Sequence, residues 1–214
     1  MMNHKATILL TYFFINSCTT FDSSFDTAET LPPSKMTTAV SLNINVQQEK
    51  SVYERLVDGS PAIDPYLATV GNGLMIYHRW GLVENFDLQF NLSLDQTSIG
   101  GKFNYFKYNK FYAAIGLKYL TPLFAIDHGE THSYMLTLYQ SYVMGQGFHA
   151  FVNPIWIHKK NNLGYVGLSI GSFFGEQNRL GFEWSYFVPE KIKHLETIEQ
   201  VKVGYQIDIE DLWK

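Results

Sequence analysis

The residues able to do chemistry in this chain fall into a few short groups. His128, Glu130 and His132 stand at alternate positions, so an extended backbone would put all three on one face, where they could hold a metal ion loosely. A fourth ligand is not identifiable, and a solvated loop accounts for the same residues without a metal. Gly167-Leu168-Ser169-Ile170-Gly171 fits the G-x-S-x-G pattern of a nucleophile elbow. An elbow needs a sharp strand-to-helix turn to lift its serine, and this stretch lies inside an alternating segment with no helical period after it. Its glycines are better explained as relief in a crowded interior. Ser133 beside His132 supplies the residue types of a nucleophile and its base, but neighbours in a strand point to opposite faces. His149 and His158 read as polar residues near strand ends. Cys18 is the single cysteine, which excludes an internal disulfide and a multi-cysteine metal site. No catalytic set, no metal and no cofactor is expected.

A larger group is made of charges: Arg79, Asp87, Lys102, Lys118, Arg179, Glu183, Lys202 and Asp208. Each stands on the polar side of a stretch that alternates with period two, the period of a strand. Leu180, Phe182, Trp184 and Tyr186 alternate with Arg179, Gly181, Glu183 and Ser185, and Val201, Val203, Tyr205, Ile207 and Ile209 alternate with Lys202, Gly204, Gln206 and Asp208. Phe86, Leu88, Phe90, Leu92 and Leu94 oppose Asp87, Gln89, Asn91 and Ser93. Further strands are expected at 40–47, 67–79, 98–106, 111–119, 133–143, 148–158 and 163–174, which makes ten, with eight or twelve as alternatives. Pro154 cannot donate a ladder hydrogen bond, so a bulge or an early strand end is expected there. Tight connections are expected at 81–85, 107–110, 144–147 and 175–178, and longer loops at 49–66, 121–132 and 189–198.

The composition says where such strands could sit. Charged residues are 17% of the chain, below the roughly 25% of an average soluble protein, while aromatics reach 16%. A net charge of -4 gives no basic footprint, so no nucleic-acid partner is expected. Beyond the first twenty residues no apolar run approaches the ~18 residues of a membrane helix; a membrane would be crossed by strands. A soluble barrel or sandwich would also alternate. The polar face decides, because it is built of small and amide residues with charges of both signs, as a crowded lumen needs. The apolar face is rich in Phe and Trp, for which lipid sets no volume limit. In hydrocarbon every backbone group must be paired, so the sheet must close. The fold expected is all-β: an antiparallel up-and-down transmembrane β-barrel over residues 36–214. Residues 19–35 are rich in Ser, Thr, Asp and Pro and read as a flexible tether. Residues 1–18 have the layout of an export signal, with Lys5 before a short apolar core from Ala6 to Ile15.

Three short matches point the same way. Arg79-Trp80-Gly81-Leu82-Val83-Glu84-Asn85-Phe86-Asp87-Leu88 resembles the strand-turn-strand segment of small bacterial outer-membrane barrels. Lys202-Val203-Gly204-Tyr205-Gln206-Ile207-Asp208-Ile209 resembles the C-terminal signal that the barrel-assembly machinery reads in that class, although the chain continues from Glu210 to Lys214. Ile15-Asn16-Ser17-Cys18 resembles a bacterial lipoprotein box, with Asn16 a departure from the usual residue. That resemblance implies lipidation of Cys18; an ordinary cleaved signal is the alternative.

The location implied is the bacterial outer membrane, with membrane lipid and the assembly machinery as partners and the oligomeric state open. The function expected is structural, surface-interacting or that of a narrow porin-like pore. The inward charges would form either an ion-pair plug or a polar pore, and at ten strands little free lumen is expected. A barrel enzyme acting on lipid and a soluble periplasmic barrel binding an apolar ligand are the alternatives.

Overall fold

The computed structural model describes residues 25–48, 68–69, 74–93, 96–122, 132–145, 147–159, 164–176, 178–190 and 197–208. Within them the chain forms β1 (Met36–Gln48), β2 (Ala68–Thr69), β3 (Leu74–Val83), β4 (Phe86–Ser93), β5 (Gln96–Tyr108), β6 (Phe111–Pro122), β7 (Ser133–Val143), β8 (Phe148–Lys159), β9 (Gly164–Phe174), β10 (Arg179–Pro189) and β11 (Thr197–Asp208). The sheet is antiparallel and its order follows the chain, with β2 and β3 both lying along β1. β11 pairs back onto β1 from Thr37↔Asp208 to Gln48↔Thr197. The sheet is therefore a closed up-and-down barrel, walled by ten long strands and the two-residue β2. No helix occurs among the described residues.

Several strand ends differ from expectation. The strand expected over 67–79 is divided into β2 and β3. The turn expected over 81–85 shrinks to Glu84-Asn85, because β3 continues past an irregularity between Gly81 and Val83. Asn85 takes a left-handed φ of 63°, which asparagine tolerates better than most residues. A second irregularity between Asn104 and Phe106 leaves Tyr105 and Phe106 both facing out. Pro154 causes neither a bulge nor an early end. The β7–β8 ladder keeps one register on both sides of it, Thr137↔Ile155 and Gln140↔Val152. Beside it, Asn153 Oδ1 accepts the Gln140 N–H at 3.2 Å.

Where a strand separates polar from apolar residues most cleanly, its polar side is the buried one. On β4, Asp87, Gln89, Asn91 and Ser93 are buried while Phe90 is 45% exposed. On β10 and β11, Glu183, Ser185, Gln200 and Lys202 are buried, and Phe182, Trp184, Val201, Val203 and Tyr205 form the outer surface. This inverts a soluble protein and fits a barrel whose outside meets lipid. Along these strands it does not fit the alternative of a soluble barrel with an apolar binding core.

The barrel has two unlike ends. One, the terminal end, carries Met36, Asp208 and the turns at 84–85, 109–110, 144–147 and 175–178. At the other, the loop end, segments 49–67, 94–95, 123–132, 160–163 and 190–196 join the strands. The inner face was expected to carry small, amide and charged residues on the strands that alternate most cleanly. Toward the loop end it is instead apolar: Leu120, Met135, Ile155, Ile157, Tyr165, Phe187 and Ile198 pack together inside the wall.

The lipid-facing assignment makes a depth-dependent prediction. Phe182→Arg, in the body of β10, should cost roughly 2–4 kcal/mol of folding free energy in liposomes, whereas Tyr108→Arg at the terminal rim should cost about 0–1 kcal/mol. Equal costs in urea titrations of the two variants would contradict the assignment.

Candidate functional site

Residues 25–35 precede β1 and fold back into the terminal end of the barrel. The reversal is made at Ser34, whose φ is 66°, and is pinned to Gly81. The Ser34 N–H donates to the Gly81 carbonyl at 2.7 Å, and the Gly81 N–H donates to the Lys35 carbonyl at 2.9 Å. A Cβ at position 81 would run into the Pro32 carbonyl. Further in, the Phe25 ring packs on Tyr77 and Phe173, with centroids 5.6 and 5.1 Å away. It sits in a notch left by Gly181 and Gly204, which are opposite each other on β10 and β11. A Cβ on either glycine would lie 2.7 Å from the ring.

An extended segment has no ladder of its own, so its backbone groups must find other partners or lose free energy. Here the wall's side chains supply many of them. Ser141 Oγ accepts the Ala28 N–H at 3.1 Å, and Asp87 Oδ1 accepts the Leu31 N–H at 2.8 Å. Asn153 donates to the Asp26 carbonyl at 3.0 Å and Asn104 to the Ala28 carbonyl at 2.9 Å. Lys102 Nζ donates to the Thr27 and Glu29 carbonyls at 2.9 and 2.7 Å, and Arg79 Nη2 reaches the Glu29 carbonyl at 2.6 Å.

Two carboxylates supply the charge. Asp26 is buried, with Oδ1 2.7 Å from Arg79 Nη1 and Oδ2 2.7 Å from Lys102 Nζ; Gln89 Nε2 donates to Oδ2 at 2.8 Å. Arg79 also pairs with Asp87 at 2.6 Å. Nearer the mouth, Glu29 Oε2 lies 2.9 Å from His149 Nδ1 and 3.6 Å from Arg179 Nη1. Around the segment the wall thus offers Arg79, Lys102 and Arg179, with Lys118 beside Asp26, against one carboxylate, Asp87, and Asp26 and Glu29 offset most of that excess. Burial pushes the Glu29 carboxyl up, but the approach and charge of His149 and the charges of Arg179 and Arg79 outweigh it and hold the group below its ordinary 4.5.

The other expected inward charges lie deeper or at the edge. Lys118 is buried beside Asp26, Arg79 and Gln89, where a cavity of about 10 Å³ leaves room for roughly one water. Lys202 is buried opposite Glu183 in the register and donates to the Tyr77 hydroxyl at 3.0 Å. Glu183 accepts from Ser185 Oγ at 2.7 Å, and Ser185 Oγ lies 2.7 Å from Ser169 Oγ. Asp208 ends β11 opposite Thr37, and nothing further is described of its side chain. Among the C-terminal residues, Gly204 faces in, Tyr205 faces out and Ile207 is half-buried, while Ile209 lies outside the described residues, as does Cys18.

The remaining groups do not assemble. Ser169 is buried within β9, hydrogen-bonded to another serine, with no helix following. His132 meets Tyr119, its Nδ1 2.6 Å from the hydroxyl, and Ser133 is not its partner. His128 and Glu130 lie outside the described residues, His149 belongs to the Glu29 contact, and His158 is exposed. Among the described residues no group of three or more His, Cys, Asp and Glu could hold a metal.

No protein-family model matches the sequence, and no curated protein matches it. Among solved structures the chain is similar to Ail, the attachment invasion locus protein of Yersinia pestis. The identity is 10% and the TM-score 0.28, over 82% of this chain and 99% of that one. The likeness is one of strand architecture; the barrel itself stands on the seam between β1 and β11.

The residues that sequence reasoning missed are Phe25, Asp26 and Glu29. The reading of 19–35 as a tether placed no side chain of this stretch, whereas the structure has Phe25, Asp26, Thr27 and Ala28 buried in the lumen. A usable signal existed: acids immediately upstream of a barrel whose inward residues at the terminal end are mostly cationic.

Two outcomes follow from the network. Asp26→Ala leaves Arg79 and Lys102 with Asp87 as the one carboxylate between them and should lower stability by about 3 kcal/mol, read as the shift of the urea midpoint; an unchanged midpoint would mean that the Asp26 contacts contribute nothing. Because the Glu29 carboxyl is held below its ordinary value when docked, its contribution is complete above pH 4.5 and is lost as the pH falls through the lowered value. Protection of residues 25–31 from amide exchange should therefore weaken on acidification below that pH, and less so in Glu29→Gln.

Proposed function

We propose that this chain is a bacterial outer-membrane β-barrel whose lumen is closed by its own N-terminal segment, and that it acts through structure and surface contact and not as an open pore. The observation that carries this reading is the docking of residues 25–31, with Asp26 shared between Arg79 and Lys102 at 2.7 Å. The apolar cluster around Leu120, Ile155 and Phe187 blocks the lumen a second time toward the loop end. A path for ions would have to pass both, and a dry apolar constriction opposes a charge even where the polar half admits water.

Location is supported by the lipid-facing surface, by the export-signal layout of residues 1–18 and by the grouping of the longer connections at one end, which barrels of this membrane turn outward. In that orientation segments 49–67, 123–132 and 190–196 meet the exterior and both ends of the barrel domain meet the periplasm. Lipid lies along the belt of Phe90, Phe182 and Trp184. The strand ending in Lys202, Gly204, Tyr205, Ile207 and Ile209 is offered to the assembly machinery. Cys18, if acylated in the manner of the lipoprotein box, adds an anchor.

The test joins two measurements. Full-length protein from isolated outer membranes should shift its electrophoretic mobility on boiling, and the same preparation in planar bilayers should give no steady conductance. Recovery in the soluble fraction without a shift would overturn the location, and a stable open channel would overturn the closed lumen.

A further inference from the structure

The contacts that hold residues 25–31 do not depend on their belonging to the same chain. Wall side chains satisfy the N–H groups of Ala28 and Leu31 and the carbonyls of Asp26, Thr27, Ala28 and Glu29. That is recognition of an extended backbone. Three side chains are read in addition: an aromatic ring in the notch of Gly181 and Gly204, an acid on Arg79 and Lys102, and a second acid three positions on, facing His149 and Arg179. The lumen is blind beyond this level, closed by the apolar cluster. At its mouth, by contrast, a cleft of about 260 Å³ opens between Leu31, Pro33, Glu84, Lys107 and Tyr112. A blind cationic cup with an open mouth takes a ligand in and out by one side.

We propose that the terminal half of the lumen is a peptide-binding site, able to take in trans an extended segment with an aromatic residue, an acid beside it and a second acid three positions further. The chain's own residues 25–29 are its resident occupant. They compete from a short tether, which gives an effective concentration on the order of millimolar. A free peptide at micromolar concentration is therefore excluded until the resident segment is displaced. Charge complementarity selects the occupant, because a vacant cup holds Arg79, Lys102, Lys118 and Arg179 against Asp87, and a neutral or basic peptide leaves that cationic excess unbalanced. The inference rests on the occupied lumen and is independent of which membrane holds the barrel.

The experiment uses full-length protein carrying Asp26→Lys and Glu29→Lys, which sets the resident segment against the wall cations, and a fluorescent peptide with the sequence of residues 22–33. A boiling-dependent mobility shift verifies the barrel. The double variant should bind the peptide at micromolar concentration, the wild-type chain should bind it at least tenfold more weakly, and the double variant should bind a peptide with Asp26 and Glu29 replaced by their amides at least tenfold more weakly than the unaltered one. Where the charge reversal prevents folding, Phe25→Ala with Asp26→Asn and Glu29→Gln vacates the site without repulsion and serves the same comparison. A folded, vacated barrel that ignores the peptide would overturn the proposal, as would one that binds a scrambled peptide equally well. Binding that survives Arg79→Gln in the vacated barrel would place the peptide elsewhere and also overturn it.

Discussion

A backbone group left unpaired in hydrocarbon costs several kcal/mol, and this constraint shapes the rest of the molecule. It is met by one seam, β1 on β11, which removes both edges of the sheet. Closure then fixes the inside and outside of every strand, since a period-two chain has only two faces. With the apolar face turned to lipid, the charges Arg79, Asp87, Lys102, Lys118, Glu183 and Lys202 are enclosed. Enclosed charges need partners, and the wall does not balance itself at the terminal end. The N-terminal segment meets that need with Asp26 and Glu29, and meets its own need for backbone partners from the same side chains. Each solves a problem that the other would have alone.

The segment's position also depends on what the wall leaves out. Gly181 and Gly204 face each other where Phe25 lies, and Gly81 faces Pro32 where the chain reverses. A larger residue at any of these sites would occupy the volume of the segment. Packing and charge therefore select the same piece of chain, so the docking is specific where either condition alone would allow many sequences.

How far the sequence could be read depends on how cleanly each strand separates its two faces. β4 alternates without exception, as do β10 from Arg179 to Tyr186 and β11 from Gln200 to Asp208, and there the inward charges and outward aromatics could be assigned residue by residue. β8 does not alternate in this way. Ile155, Trp156 and Ile157 are apolar in succession, two of them buried inside and one facing out, so the pattern held no sign of the apolar cluster at the loop end. Pro154 misled for a related reason: the loss of its ladder donor was expected to bend the strand, and the register runs through it unchanged. The site was less legible than the wall. Its wall residues lie on regular strands, but its occupant is a polar stretch whose composition is that of a tether and whose hydrogen bonds to the wall come from partners 50 to 127 residues away in the chain. Local propensity carries no trace of contacts at that range.

The division of the interior into a polar half and an apolar half bears directly on activity. A lumen lined with charge throughout would tend to fill with water once its plug left, and the barrel would conduct. Here the polar half ends against Leu120, Met135, Ile155 and Phe187, so removal of the segment exposes a pocket and not a passage. The segment's departure and the opening of a route across the membrane are therefore separate events, and only the first requires nothing more than the exchange of one set of hydrogen bonds and ion pairs for another. What the barrel can do most cheaply, on this geometry, is trade one extended acidic chain for another at its terminal mouth while the outer surface stays as it is.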